Sequence, residues 1–368
     1  MEPIRVLHMI GNLGIGGSQV LVINLLRAID RSKVQFDFIV DRPESDELAA
    51  TVRELGSRIY SVPTFVGHNI REVQKAWDQF FLEHPEYKIL HSHVRSYASI
   101  YLPIAKRHGL KTIIHSHSTS NGKGLVSAVK KVLQFPLRYQ ADFLFACSQE
   151  AGRWLYGKYA VLQNNYRMIP NGVDCKRFVF DKAARNCIRN QWGISENAKV
   201  IGHIGRIHES KNHGFLIDVF AEIRKHDESI KLLLVGDGEL RNEAEHKCKQ
   251  LGIHESVVFA GAQTDTPGYY CAMDLFLFPS KWEGLPVSVV EAQACGLPCV
   301  LADTITKDIR LTNLVEYLPL NLGVQAWAQR VAERLSEPRK PLENVQQLTA
   351  FDIEAVAQEL LEFYLNLA

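Results

Sequence analysis

Two doubly wound α/β halves in series are the architecture this sequence predicts, and three observations carry the prediction. The chain has 368 residues, too many for one ordinary core and suited to two domains of about 150–200 residues each. Short apolar runs alternate with stretches at helical spacing, the pattern of parallel sheets covered on both faces. The alternation breaks at the turn-rich Ile169-Pro170-Asn171-Gly172-Val173-Asp174 and then restarts.

In chain order, the first half offers strands at Val6–Ile10, Phe36–Val40, Ile89–His91, Thr112–Ile114 and Phe143–Cys147. Val20–Leu26 and Ile70–Leu82 have helical spacing between them. The second half offers Val200–Ile204, Leu232–Val235, Val257–Ala260, Leu275–Phe278 and Cys299–Leu301. These readings set domains at 1–174 and 175–348, with a last helix over 349–368. That helix carries Ile353, Val356, Leu360, Leu361 and Tyr364 on one side and needs a surface to cover.

Composition narrows the function classes. Hydrophobic residues are 46% and charged residues 23%, which excludes a disordered chain. Lys plus Arg is 42 against 41 Asp plus Glu, so whole-molecule attraction to nucleic acid is not expected. No run of about 18 apolar residues is present to span a bilayer. The N-terminal residues read as a first strand and not as a leader. Seven cysteines without a Cys-x-x-Cys pair argue against a disulfide framework or zinc finger. A cytoplasmic protein is expected.

Open parallel sheets bind ligands at the carboxyl ends of their strands, so chemistry should lie on strand-to-helix loops of a cleft between the halves. The loop Gly11-Asn12-Leu13-Gly14-Ile15-Gly16-Gly17-Ser18-Gln19 follows the first strand. Its glycines suit close approach by an anion, or simply a tight turn with Ser18 as helix cap. Gln19 stands where a dinucleotide fingerprint needs its third glycine, which disfavours a nicotinamide oxidoreductase although Asp41 could supply the acid. In Gly205-Arg206-Ile207-His208-Glu209-Ser210-Lys211, Arg206 and Lys211 suit a diphosphate at a helix start, or are solvated surface cations. The segment Phe278 to Ala292 carries Glu283 before a helix expected to start near Leu285, with Pro286 at its second position and Glu291 inside. A carboxylate among Val289, Val290 and Ala292 is costly unless paired, and ribose hydroxyls would satisfy it.

Arg206 with Lys211, the Pro-Ser-x-x-Glu-Gly-x-Pro-x-x-x-x-Glu-Ala frame, Gly236-Asp237-Gly238 and the early Gly-Gly loop resemble glycosyltransferase family 4 over nearly the whole chain. The resemblance implies the GT-B fold: two Rossmann-like domains facing a central cleft, with the C-terminal helix crossing back to the first. It also implies a retaining transferase similar to bacterial exopolysaccharide and capsule enzymes, using a nucleotide-sugar donor, here a UDP-sugar. The acceptor would be a polysaccharide or lipid-linked glycan. By resemblance, Arg206 and Lys211 hold the donor diphosphate, Glu291 the ribose, and Glu283 with the Gly284-Leu285 amides the transferred sugar. Gly205 and Gly236 belong to the same donor loops. Gly16 and Gly17 close over the donor, and Phe259 and Gly261 lie near the base. A non-catalytic GT-B partner subunit would usually lose these residues.

Two histidine pairs, His91/His93 and His115/His117, stand at strand ends. Alternation lets each pair share a face, which raises a zinc hydrolase. Such an enzyme also needs carboxylates, and none occurs between Tyr87 and Ala141. The family instead places a donor-sugar histidine after this strand, matched by His115 and then His117. No metal or other cofactor is expected, and no Asp-x-Asp motif is present. The carboxylate-free window holds Lys88, Arg95, Lys106, Arg107, Lys111, Lys123, Lys130, Lys131 and Arg138. Within it, Val126, Val129, Val132, Leu133 and Phe135 alternate with cations. That face suits peripheral contact with the inner side of a membrane, or is a solvated helix whose apolar side packs inward.

Overall fold

The computed structural model describes residues 2–14, 16–42, 47–119, 124–337, 339 and 346–367. Ile15 and Lys123, both named above, lie outside them. Contacts divide the chain into two units, Met1–Gly172 with Asp352–Ala368, and Val173–Phe351.

In the first unit, Val-, Ile- and Phe-rich runs form β1 (Ile4–Met9), β2 (Val34–Val40), β3 (Ile59–Ser61), β4 (Ile89–Ser92), β5 (Lys111–Ser116), β6 (Phe143–Ala146) and β7 (Tyr166–Met168). They make one parallel sheet in the order β3-β2-β1-β4-β5-β6-β7. Every residue of β2 is buried, as expected of a strand covered on both faces. The second unit contains β8 (Val200–Ile204), β9 (Lys231–Val235), β10 (Val257–Gly261), β11 (Leu275–Phe278), β12 (Cys299–Ala302) and β13 (Val315–Leu318). Its parallel order is β10-β9-β8-β11-β12-β13.

The order reverses between β1 and β4 in one sheet and between β8 and β11 in the other. At such a switch point the two following helices leave on opposite faces, opening a crevice at the strands' carboxyl ends. The loops with chemical character hang there.

The C-terminal helix, Ile353–Leu365, belongs to the first unit and not to the second that precedes it. Ile353, Val356, Leu360, Leu361 and Tyr364 are buried in one core with Val22, Leu25 and Phe36. A Cβ on Gly172 would come within 2.8 Å of the Ile353 side chain, so glycine lets the helix start against the chain's exit from the unit. Three strands are absent from the sequence reading: β3, β7 and β13. Each lies at a sheet edge, and β3 and β7 hold only three residues, too few to show a period. All seven cysteines are free thiols. Among the described residues no helix is long and apolar enough to cross a membrane.

Candidate active site

In the second unit, the loops after β8 and β11 are stitched together. The Lys281 amide donates to the Ser210 carbonyl at 2.7 Å, and Asn212 Nδ2 donates to the Pro279 carbonyl at 3.2 Å. Asn212 is the left-handed residue (φ 58°) that turns the β8 loop into the helix His213–Arg224. The stitching brings two residues of the sequence reading into contact: Lys211 Nζ lies 2.8 Å from Glu283 Oε1, both largely shielded. The Phe278 ring lies beneath the same ammonium at 4.8 Å. Arg206 is exposed and pairs with Glu239 at 3.1 Å. Both cations therefore sit at the switch-point crevice, each balanced by a carboxylate.

The glycines earn their places by close approach. A Cβ on Gly205 would stand 3.2 Å from Lys211 Cε. On Gly236 it would stand 2.1 Å from the Gly205 carbonyl oxygen, and on Gly238 2.3 Å from that of Ile207. Gly236-Asp237-Gly238 thus lets the β9 loop lie against the β8 loop, and its amide partner Gly261 turns at φ 71°. Arg241 stacks over the Phe259 ring at 5.9 Å and pairs with Asp237.

The helix expected near Leu285 begins later, at Val287. Pro286 is its cap, in extended backbone (φ −77°, ψ 96°), and not its second residue. An extended cap ending in a residue without N–H leaves Gly284 and Leu285 outside the helix. Glu291 lies in the second turn, where the Tyr270 hydroxyl donates to its Oε2 at 2.5 Å. Burial pushes the Glu291 carboxyl up to about 7, with the Tyr270 bond pulling the other way. Tyr270 is itself held, because Arg185 donates to the carbonyls of Cys271, Ala272 and Met273 that close its helix. Arg185 and Arg189 both anchor on Asp274.

In the first unit the early loop runs into the helix Gly17–Ala28, capped by Gly16 and not by Ser18. Ser18 Oγ donates to Gln19 Oε1, and Gln19 Nε2 to Asn12 Oδ1. A Cβ on Gly17 would touch nothing within 4 Å and one on Gly16 only the Gln19 side chain. Packing does not demand glycine at 17, whereas a Cβ on Gly16 would stand 2.5 Å from Gln19 Oε1 and disturb the bonds that tie Gln19 to Ser18 and Asn12.

The histidines gather more closely than alternation alone implies, and His8 of β1 joins them in register with His91. His8 Nδ1 lies 3.0 Å from His93 Nε2, His93 Nδ1 lies 2.8 Å from His117 Nε2, and His117 Nδ1 lies 3.3 Å from Asn171 Oδ1. A second ladder runs from Tyr364 through His91 to His115, at 2.6 and 3.2 Å. Burial holds all five rings below the ordinary histidine range, His8 to about 3 and His117 to about 4. His115 is 1% exposed inside β5, whereas His117 and His93, just beyond their strands, are half-buried. A 280 Å³ cavity beside them is lined by His93, Arg42, Arg95, Ser18, Lys130 and Gln134 among others.

Lys130 and Gln134 come from the basic helix, Leu125–Gln134, which is turned inside out. Among its described side chains the buried ones are the polar Ser127 and Gln134; Leu133 is half-buried, and Val126, Val129 and Val132 are 65%, 51% and 72% exposed. Phe135 and Tyr139 continue the exposed apolar surface. The apolar side does not pack inward, because the inward side faces a cavity of cations and imidazole. Another cavity, of 580 Å³, is lined by Lys199 and Ile230 among others, which precede β8 and β9. It lies at the amino ends of those strands, away from the residues above.

Sequence reasoning missed Tyr270, Glu239, Tyr364, Asn171 and His8. Only His8 carried a signal, as a polar residue inside an apolar first strand.

Comparison with known proteins gives a consistent family. A model of group 1 glycosyl transferases matches residues 184–308, and one of glycosyltransferase family 4 matches residues 15–177. The chain is 31% identical to the protein named glycosyltransferase EpsF of Bacillus subtilis (strain 168), covering 98% of this chain and 96% of that one. It is 26% identical, over 60% of its length and 59% of the relative's, to the UDP-Gal:alpha-D-GlcNAc-diphosphoundecaprenol alpha-1,3-galactosyltransferase of Escherichia coli. Its fold is similar to that of Anabaena HepE in complex with UDP and glucose, with a TM-score of 0.77, 19% identity and 98% coverage of each chain.

The raised Glu291 carboxyl gives a pH signature. Folding makes it hold a proton that the unfolded chain has already released, so its contribution is complete below about 4.5 and is lost as pH rises through about 7. Wild type should lose stability relative to Glu291→Gln as pH climbs through that window, measured by urea unfolding. Parallel curves would contradict this.

Proposed function

The chain belongs to the family 4 glycosyltransferases, hexosyltransferase-type enzymes of the GT-B fold, and from that premise we propose its reaction. It moves a sugar from a UDP-sugar to a hydroxyl of a polysaccharide or lipid-linked glycan, with retention of configuration and without a metal ion. The observation that carries this is the placing of Arg206 and Lys211 at the β8/β11 switch point. UDP enters the reading from the HepE complexes, and the lipid-linked acceptor from the Escherichia coli relative's name.

Breaking the bond between the anomeric carbon and phosphate builds negative charge on the departing diphosphate. Preorganised cations facing that charge supply the large electrostatic term. Lys211 offers a compact charge, and Arg206 a planar fork that exchanges Glu239 for a phosphate. Glu283, freed from its neighbour when Lys211 turns to phosphate, accepts from sugar hydroxyls and orients the ring. Glu291 with Tyr270 accepts from the ribose, and Phe259 to Gly261 lies near the base. In the first unit His117 is the more accessible partner for the transferred sugar, with His115 behind it. Retention follows from the resemblance. The acceptor oxygen attacks from the face the diphosphate leaves, and the leaving phosphate oxygen takes the acceptor's proton.

Arg206→Ala and Lys211→Ala should each lower turnover by about 10²-fold or more, while wild-type turnover persists in EDTA. The readout is transfer from a panel of nucleotide sugars. Near-wild-type transfer by both variants would reject the charge roles, and complete loss in EDTA would reject metal independence.

The inside-out helix supports peripheral contact with an anionic membrane surface. Exposed Val126, Val129, Val132 and Phe135 would enter the interface, with Lys131 and Arg138 beside the headgroups. Wild type should sediment with vesicles rich in phosphatidylglycerol and not with pure phosphatidylcholine. Val129→Asp with Val132→Asp should weaken that binding about ten-fold or more; equal binding by wild type and variant would contradict it.

A further inference from the structure

We propose that the first unit carries a phosphate site of its own, formed by Arg42, Arg95 and Lys130, which holds a phosphate or diphosphate group of the acceptor. The inference rests on the transferase reading only in calling this ligand the acceptor. It selects a phosphate-borne glycan over a neutral polysaccharide end.

The three cations line one 280 Å³ cavity together with Ser18, Ser96 and His93, and no carboxylate lines it among the described residues. They come from three separate places: Arg42 follows β2, Arg95 follows β4, and Lys130 lies in the basic helix. Ile10 and Gly11, which follow β1, also line the cavity, so it sits at the β1/β4 switch point. An open parallel sheet takes its ligand there.

Each cation is available in a different way. The Arg42 guanidinium lies against Gly11, where a Cβ would stand 2.2 Å from one of its terminal nitrogens. The carboxylate beside it, Asp41, is 3.5 Å from Arg42 Nε and accepts from the Tyr97 hydroxyl at 2.7 Å through its other oxygen. That leaves the terminal nitrogens of Arg42 to a ligand. Arg95 is held in place, with Nη1 donating to the Ser118 carbonyl at 2.6 Å and the guanidinium 4.7 Å from the centre of the Trp154 ring. Lys130 is half-buried and has neither a hydrogen bond nor an ion pair among the described residues. The helix Gly17–Ala28 starts beside the cavity without a side-chain cap, which adds its positive end to the same field.

Three cations beside a single carboxylate leave more charge than one carboxylate ligand would balance. A phosphate or diphosphate would balance it, with guanidinium forks matching pairs of its oxygens and the ammonium acting as a point charge. The helix that brings Lys130 to the cavity presents exposed Val126, Val129 and Val132 elsewhere on its surface. One helix thus borders an anion cavity and offers apolar side chains to a lipid interface, which suits a phosphate carried on a lipid.

The experiment is a calorimetric titration of the full-length protein, saturated with UDP, with decyl diphosphate below its micelle concentration. One binding event is expected, about ten-fold or more weaker in Arg42→Gln and in Lys130→Gln. It should be unchanged in Lys75→Gln, an exposed cation of the helix Ile70–Glu83. Pyrophosphate separates the two sources of the group. Weaker binding than decyl diphosphate assigns the phosphate to a lipid, and equal binding assigns it to a water-soluble acceptor. Three results would each overturn the site: no binding event after UDP saturation, equal affinity in wild type and both site variants, or decyl glucoside, which lacks phosphate, binding as tightly as decyl diphosphate. Should UDP itself fail to bind, the donor reading falls while the same variants still test this site.

Discussion

Parallel strands all finish at one edge of a sheet, and that constraint governs where this protein keeps its reactive side chains. The reversal of strand order then selects one point along each edge. In the second unit it selects the meeting of the β8 and β11 loops, where Lys211 and Glu283 stand 2.8 Å apart. In the first it selects the ends of β1 and β4, where His8, His91 and His93 meet. Neither group is assembled by proximity in sequence: Lys211 and Glu283 are tied by the hydrogen bonds between their loops, and His8 reaches His91 only through sheet register.

Charge balance explains how the second-unit site stays folded before any substrate arrives. A shielded ammonium or carboxylate alone is expensive, and each here is offset by the other. Arg206, being exposed, gains little from Glu239 and so gives it up readily. The pairing is therefore tight where desolvation demands it and loose where the side chain is open to solvent. Glu291 follows a third route. Its carboxyl is held up to about 7 by burial, so near neutral pH it is close to balance between charged and uncharged forms, with Tyr270 fixing one oxygen.

Much of this was legible in the sequence. The apolar runs gave ten of the strands because buried parallel strands read as continuous Val, Ile, Leu and Phe. Arg206, Lys211, Glu283 and Glu291 stood out because charged residues on glycine-containing turns, or inside an apolar helix, have few structural reasons to be there. What stayed hidden is tertiary. Nothing near Tyr270 indicates that it meets Glu291, and the ladder from Tyr364 to His115 joins the C-terminal helix to β4 and β5. The late helix start at Val287 depended on the extended backbone of Pro286, which a proline permits but does not announce. The basic helix was ambiguous for a related reason. Its period is the same whichever face is buried, and only the polar cavity beneath it settles that Val126, Val129 and Val132 face outward.

A crystal structure of the protein with UDP tests the central claim, that a diphosphate is seated by the two cations of the β8 loop. The account predicts phosphate oxygens within hydrogen-bond distance of Lys211 Nζ and the Arg206 guanidinium, with the Lys211–Glu283 and Arg206–Glu239 pairs opened and the ribose hydroxyls on Glu291. Nucleotide bound elsewhere, with both ion pairs intact, would contradict it.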